Sequence, residues 1–217
     1  NFNHGGQLAW TPDNSGIVFS ANRSANFEFE SRQNELYMVS LNGELSQITN
    51  EPGTKRSPVF SPNGEHLAYV YGTANNLPYA NSKLRIMRWP NREGSELLTD
   101  FDRSVGSPSW LGNDALVFDY QDQGKTKLAR VTLRGRMTNL VDDVSGLPSG
   151  RPYNGGMYSM NSRGDIAYTR GHATRSGDIG FVSRARGDAR YLTHLNGDVL
   201  GQRTLGEVHE FTYTSQT

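Results

Sequence analysis

The stretch Trp10-Thr-Pro-Asp-Asn-Ser-Gly-Ile-Val-Phe-Ser20 joins an aromatic residue, a polar turn and an apolar strand, and it decides the fold. The pattern returns as Phe60-Ser-Pro-Asn-Gly-Glu-His-Leu-Ala-Tyr-Val70, as Trp110-Leu-Gly-Asn-Asp-Ala-Leu-Val-Phe-Asp119 and as Tyr158-Ser-Met-Asn-Ser-Arg-Gly-Asp-Ile-Ala-Tyr168. The steps between the aromatic residues are 50, 50 and 48 (10 to 60 to 110 to 158). A fixed period in this range is typical of repeat architectures, in which each unit buries its apolar face against its neighbours.

Each copy of the pattern continues with two further strands. Pro followed by Asp, Asn or Gly predicts the turn that precedes the second strand, and Asn42-Gly43 predicts the hairpin that leads to a fourth. Apolar and polar residues alternate in the third strand, as expected when one face is buried. These third strands are Glu35–Leu41, Lys83–Trp89, Thr126–Leu133 and Asp178–Ser183, and the fourth strands end at Thr49, Thr99, Val141 and Thr193.

Four antiparallel strands per repeat predict an all-β fold of β-propeller blades. We predict four blades at about residues 1–56, 57–105, 106–150 and 151–193, followed by an exit segment at 194–217. A β-sandwich is the alternative, since it also has regular short strands. A sandwich does not explain why three features recur in one order: the aromatic residue, the polar turn, and the Leu-Thr pair that ends fourth strands, as in Leu98-Thr99 and Leu192-Thr193.

Composition restricts the classes of function. Lys plus Arg and Asp plus Glu are both 22, so no net field attracts nucleic acid or an anionic membrane surface. The absence of cysteine excludes disulfides, a thiol nucleophile and thiolate metal sites. The five histidines are scattered, and we expect no metal and no cofactor. We expect a cytoplasmic location, with the periplasm as the alternative.

Two features carry a resemblance to a known family. The phrases Trp10-Thr-Pro-Asp13, Leu36-Tyr-Met-Val39 and Ile48-Thr49 resemble the TolB-like repeat, which builds the propellers of TolB-type periplasmic proteins and of prolyl oligopeptidase family serine peptidases. The tail ending in Glu210-Phe-Thr-Tyr-Thr-Ser215 is similar to the exit segment of the acylaminoacyl-peptidase and dipeptidyl-peptidase branch. In that branch such a strand opens the hydrolase domain.

This resemblance implies the C-terminal part of a propeller, with further blades before Asn1 and an α/β-hydrolase domain after Thr217. The nucleophile elbow Gly-x-Ser-x-Gly is absent from the sequence, so we expect the chain to be inactive alone. The expected role is to exclude folded proteins by size and to help seat short peptides. Expected partners are the peptide, the hydrolase domain and other copies that associate through exposed blade edges.

Two other classes of function remain open. A TolB-like propeller would be a non-enzymatic module that binds a protein partner, and a small propeller enzyme would act on sugars with a histidine-bound metal. The tail argues against the first, and the scattered histidines argue against the second.

Blade geometry predicts where a peptide would bind. In an antiparallel blade the loop between the second and third strands lies at the same end as the end of the fourth strand. The chain leaves the last blade at the end of its fourth strand, near Thr193, toward the expected hydrolase domain. That domain should therefore be faced by the four loops between second and third strands, at 21–34, 72–82, 120–125 and 170–177. An acidic pair there could hold a peptide ammonium by charge-assisted hydrogen bonds, although a solvated or packed loop is the alternative. The candidate residues are Arg23, Glu28, Glu30, Tyr79 and Asn81.

Overall fold

The computed structural model describes residues 7–74, 77, 79–91, 94–146, 155–172 and 174–214. This part of the chain contains sixteen strands, one three-residue 3-10 turn at Ser183–Ala185 and one helix, α1 (Gly197–Leu200). The strands form consecutive groups of four, which we call blades 1 to 4.

The bounds of the strands follow the repeat. Blade 1 contains β1 (Ala9–Trp10), β2 (Gly16–Ala21), β3 (Glu35–Ser40) and β4 (Leu45–Gln47). Blade 2 contains β5 (Thr54–Phe60), β6 (His66–Gly72), β7 (Lys83–Arg88) and β8 (Gly94–Glu96). Blade 3 contains β9 (Val105–Leu111), β10 (Ala115–Asp122), β11 (Lys125–Thr132) and β12 (Met137–Val144). Blade 4 contains β13 (Tyr158–Met160), β14 (Ile166–His172), β15 (Arg175–Val182) and β16 (Arg190–Tyr191).

The strands of each blade pair antiparallel in chain order, and the blades pack face to face. One core lies between blades 1 and 2 around Val18 and Leu67, and a second between blades 2 and 3 around Leu84 and Phe118. Blades 3 and 4 enclose a third, and the pairing of Val144 with Arg170 also joins their sheets. The all-β prediction of propeller blades is confirmed, and the four blades do not close into a ring.

Strand register shows that the period is more regular than the sequence suggests. The last aromatic residue before the turn pairs with the second residue of the next strand in blades 1 to 3, as Trp10, Phe60 and Trp110 show. In blade 4 the residue that pairs at the start of the next strand is Met160, whose partner is Ile166. Met160, not Tyr158, therefore occupies the repeat position, and the steps become 50, 50 and 50 (10 to 60 to 110 to 160). The prediction of Tyr158 was wrong because methionine replaces the aromatic residue in this copy.

The turn after the first strand explains the recurrence of Thr/Ser-Pro-Asp/Asn. The Thr11 hydroxyl accepts the Gly16 N–H at 3.0 Å and donates to Asp13 Oδ1 at 2.7 Å. Ser61 makes the same two bonds, with the His66 N–H and Asn63 Oδ1. Asp and Asn accept equally well here, which is why the repeat allows both.

The two ends of each blade differ. One end, here called the turn end, carries the tight turns, and backbone bonds tie them together, as between the Leu133 N–H and the Asp114 oxygen at 2.8 Å. The opposite loop end carries the connections between second and third strands. For two of the four predicted loops the bounds are too wide, because β10 and β11 form a hairpin from Asp122 to Lys125, and β14 and β15 form one from His172 to Arg175. Gln123 and Gly124 make the first possible through φ values of 49° and 71°.

The tail has no strand in its described part. Residues 201–214 carry no strand pairing, and Phe211 and Tyr213 are 82% and 83% exposed. A strand needs a partner for its backbone groups, and none of the described residues offers one. The strand expected at Glu210–Ser215 is therefore not formed in residues 210–214, and Ser215 lies outside the described residues.

Candidate functional site

The loop end of blade 1 carries the longest described connection, residues 22–34. Asn22 is 3% exposed, and its Nδ2 donates to the Glu30 carbonyl at 2.7 Å. The Glu30 N–H in turn donates to the Asn26 carbonyl at 3.0 Å. A buried amide thus holds this loop over the end of the blade, because an unpaired buried amide would be costly.

A cavity of about 310 Å³ lies beneath this loop. Its charged lining residues are Arg23, Glu30, Glu35 and Glu51, which are three acids and one arginine. The Arg23 guanidinium lies over the Tyr37 ring, 5.7 Å from the centroid. Burial raises the pKa of the Tyr37 hydroxyl above its ordinary value of 10.0, and the hydroxyl is protonated at neutral pH as in any tyrosine.

Two of the three carboxylates are neutralised by cations of blade 2. Glu35 Oε1 lies 2.9 Å from Lys55 Nζ, whose side chain is fully buried. Glu51 Oε1 lies 2.5 Å from Arg85 Nη1. Glu30 has no ion pair within the described ranges. Its carboxylate is therefore the one that an incoming cation could neutralise.

A threonine two residues after the fourth strand holds a carboxylate of the third strand in blades 1 and 4. The Thr49 hydroxyl accepts the Leu36 N–H at 2.9 Å and donates to Glu35 Oε2. In blade 4, the Thr193 hydroxyl accepts the Ile179 N–H at 2.9 Å and donates to Asp178 Oδ1 at 2.7 Å. This gives the threonine a structural role in blades 1 and 4.

The structure brings together two of the five predicted residues. Arg23 and Glu30 line one cavity, whereas Glu28 is exposed on the same loop and does not line it. Tyr79 is 76% exposed. Asn81 instead ties the blade 2 loop to the next linker, since its Nδ2 donates to Asp102 Oδ1 at 2.9 Å.

Sequence reasoning missed Glu35, Glu51 and Tyr37. An acid stands fourteen residues before Thr49 and fifteen before Thr193, and this spacing is visible in the sequence. No comparable signal marks Glu51, because its contact to Arg85 depends on how two blades pack.

The tail lies at the loop end. Glu210 Oε2 is 3.6 Å from Lys125 Nζ, at the start of the third strand of blade 3. At the beginning of the tail, Arg175 Nη2 donates to His194 Nδ1 at 2.6 Å. The chain therefore leaves blade 4 on the side that carries the cavity of blade 1, as blade geometry predicts.

The described residues contain neither a cluster of metal ligands nor a membrane-spanning helix. No group of three or more His, Asp or Glu side chains there is placed to hold a metal ion. No helix in this part of the chain is long and apolar enough to cross a membrane.

Comparisons with solved structures show the same arrangement of blades. The acylaminoacyl peptidase of Pyrococcus horikoshii superposes with a TM-score of 0.70 at 18% identity, over 97% of this chain and 30% of its own. TolB from Acinetobacter baumannii superposes with a TM-score of 0.60 at 19% identity, over 86% and 43%. The fold is part of a β-propeller.

The propeller also has a relative by sequence. Probable dipeptidyl-peptidase 5 of Aspergillus niger is 33% identical over 90 residues, which are 41% of this chain and 12% of that protein. No family model matches the chain. The propeller described here spans less than half the length of each of these proteins.

Proposed function

We propose that this chain is the non-catalytic propeller portion of a serine peptidase that cleaves short peptides. In this role it limits access by size, and the loop end of blade 1 helps to seat the peptide. The observation that carries the proposal is the cavity that Glu30 lines together with Arg23 and Tyr37, while Glu30 has no ion pair among the described residues. The similarity to peptidases supports it.

The chemistry of this cavity suits the amino end of a peptide. An α-ammonium donates three hydrogen bonds, and the Glu30 carboxylate can accept them as charge-assisted bonds. The Tyr37 hydroxyl adds a polar group that stays protonated. Arg23 is placed to meet a carbonyl or carboxylate of the same peptide, since it is a donor only.

Peptide hydrolysis by the full-length gene product tests this role. We expect Glu30→Gln to raise KM about tenfold for a peptide with a free amino end, the size of one lost charged hydrogen bond. KM for the N-acetylated peptide should not change. Glu28→Gln, tested in parallel, shows whether the two acids of the loop act together.

The matched control is Glu44→Gln, which removes an exposed acid at the turn end of the same blade. Equal effects of Glu30→Gln and Glu44→Gln on both peptides would contradict seating by Glu30. A gene product without hydrolytic activity would contradict the peptidase role as a whole.

A protein-binding module of the TolB type is the second candidate. The superposition on TolB over 86% of the chain supports it. The two candidates differ in what a pull-down with the isolated chain should show, because a binding module retains a protein partner in the absence of any peptide substrate. We place the peptidase in the cytoplasm, with the periplasm as the alternative.

A further inference from the structure

A cleft at the turn end, between blades 3 and 4, concentrates positive charge. It has a volume of about 770 Å³ and is lined by four arginines and one acid. Lys plus Arg and Asp plus Glu balance at 22 each over the whole chain, so the imbalance is local. The arginines are Arg130, Arg134, Arg136 and Arg186, and the acid is Asp114.

Arg130 lies at the inner side of this cleft. Alternate residues of a strand share one face, so Arg130 projects from β11 on the same side as Leu128, which is fully buried in the core between blades 3 and 4. The Arg130 Nε is buried and has no hydrogen-bond partner among the described residues. A buried guanidinium N–H without an acceptor is unfavourable, and an anion in the cleft would supply one.

The other three arginines come from two different turns. Arg134 and Arg136 flank Gly135, whose φ of 77° closes the hairpin between β11 and β12. Arg186 follows Arg184 and Ala185, which adopt φ values of 50° and 46°. Such values are unfavourable for residues other than glycine, and strained backbone often accompanies functional sites.

None of the four arginines forms an ion pair with a described residue. Other arginines of the chain do, since Arg85, Arg170 and Arg175 all contact a carboxylate. The exposed Asp114 is the single acid of the lining and leaves an excess of three positive charges. The cleft therefore lacks the counter-charge that the protein supplies elsewhere.

We propose that this cleft binds a small, multiply charged oxyanion of the phosphate class. Guanidinium groups match phosphate oxygens with paired N–H donors. Donors that reach the ligand from three chain segments suit a group with oxygens in several directions better than a planar carboxylate. The cleft lies at the end of the blades opposite to the cavity of Glu30, so this proposal does not depend on the proposed function.

Titration calorimetry on the purified chain tests the site, with inorganic pyrophosphate as the probe in metal-free buffer. We expect saturable binding with one site per chain. Arg186→Ala should weaken it about tenfold, as the loss of one charge-assisted contact does. Arg130→Gln should weaken it at least as much. Arg203→Ala is the control, because it removes the same charge from the exposed tail.

Two comparisons make the result decisive. Arg186 is exposed, so its variant should keep the wild-type circular dichroism even if Arg130→Gln does not fold. ADP in place of pyrophosphate separates an organic diphosphate from the free ion, and binding of either supports the site. No saturable binding of pyrophosphate or ADP, equal affinities for Arg186→Ala and Arg203→Ala, or citrate binding as tightly as pyrophosphate would overturn the proposal.

Discussion

Two carboxylates with a strongly lowered pKa, Asp178 in β15 and Asp13 in the turn after β1, contribute to the stability of this protein against acid. Asp178 is 3% exposed as a side chain and accepts bonds from the Leu195 N–H and the Thr193 hydroxyl. These bonds, with a smaller contribution from Arg175, lower its pKa from 3.8 to about 2. Hydrogen bonds from Thr11 and Ser15 likewise lower the pKa of Asp13 to about 2.

A group whose pKa is depressed by folding stabilises the native state above its unfolded pKa and loses this effect as the pH falls. We therefore expect the urea midpoint to decrease between pH 4 and pH 2, the window set by pKa values of 3.8 and about 2. Asp178→Asn should flatten part of this decrease, whereas Asp188→Asn, at an exposed position, should not. An unchanged acid slope in Asp178→Asn would contradict the assignment.

Thr49 offers a second test on a single residue. Thr49→Val keeps the shape of the side chain but leaves the Leu36 N–H and the Glu35 carboxylate without its hydroxyl. We expect a loss of about 1–3 kcal/mol in the free energy of unfolding, as for other buried groups left unsatisfied. The matched control is Thr99→Val in blade 2, where Lys83 replaces the acid and Thr99 is exposed. Equal losses would refute the pairing of acid and threonine.

At the scale of elements, the contact between blades 1 and 2 contains a buried ion pair. Lys55 on β5 is fully buried, and its Nζ contacts Glu35 on β3 and the carbonyls of Glu51 and Gly53. Removing one member of such a pair leaves an uncompensated buried charge, whereas removing both is much less costly.

We expect Lys55→Met to lower the free energy of unfolding by about 3–5 kcal/mol. The double variant Glu35→Gln with Lys55→Met should recover most of that loss. Chemical denaturation of the two single variants and the double variant gives the coupling free energy directly. Additive losses, with no recovery in the double variant, would show that the charges of Glu35 and Lys55 do not stabilise this contact as a pair.

The elements also show what sequence could predict. Second and third strands were predictable, because runs such as Leu67–Tyr71 combine apolar residues with flanking turn signals. The shift from Tyr158 to Met160 was not, since it depends on pairing with Ile166 rather than on residue type. The cleft at the turn end between blades 3 and 4 was not predictable either, since Arg130 and Arg186 line it together only because these two blades pack against each other.

At the scale of the whole molecule, the outer face of blade 1 is open. Trp110, Leu116 and Phe118 of blade 3 pack against blade 2, and Phe118 is fully buried there. The equivalent residues of blade 1, by the pairing of Trp10 with Ile17 and of Trp110 with Leu116, are Trp10, Ile17 and Phe19, and Trp10 is 57% exposed. An exposed apolar face of this kind favours association.

We expect the isolated chain to associate with other copies through this face, with an average mass in light scattering that rises with concentration. Trp10→Lys should shift the protein toward the monomer, because it places a charge on the face. Phe29→Lys is the control, since Phe29 is 90% exposed but lies on the loop of blade 1. A monodisperse monomer at all concentrations would contradict this prediction.

The buried pair of Glu35 and Lys55 has a consequence for the order in which the chain acquires its structure during synthesis. Glu35 belongs to blade 1, but the lysine that neutralises it belongs to blade 2 and is translated twenty residues later. At ribosomal speeds of about 5–20 residues per second, this interval lasts roughly 1–4 s. Until Lys55 emerges, the Glu35 carboxylate lacks the cation that neutralises it at the contact between blades 1 and 2. Blade 1 should therefore acquire its final structure at this contact only when blade 2 begins to emerge.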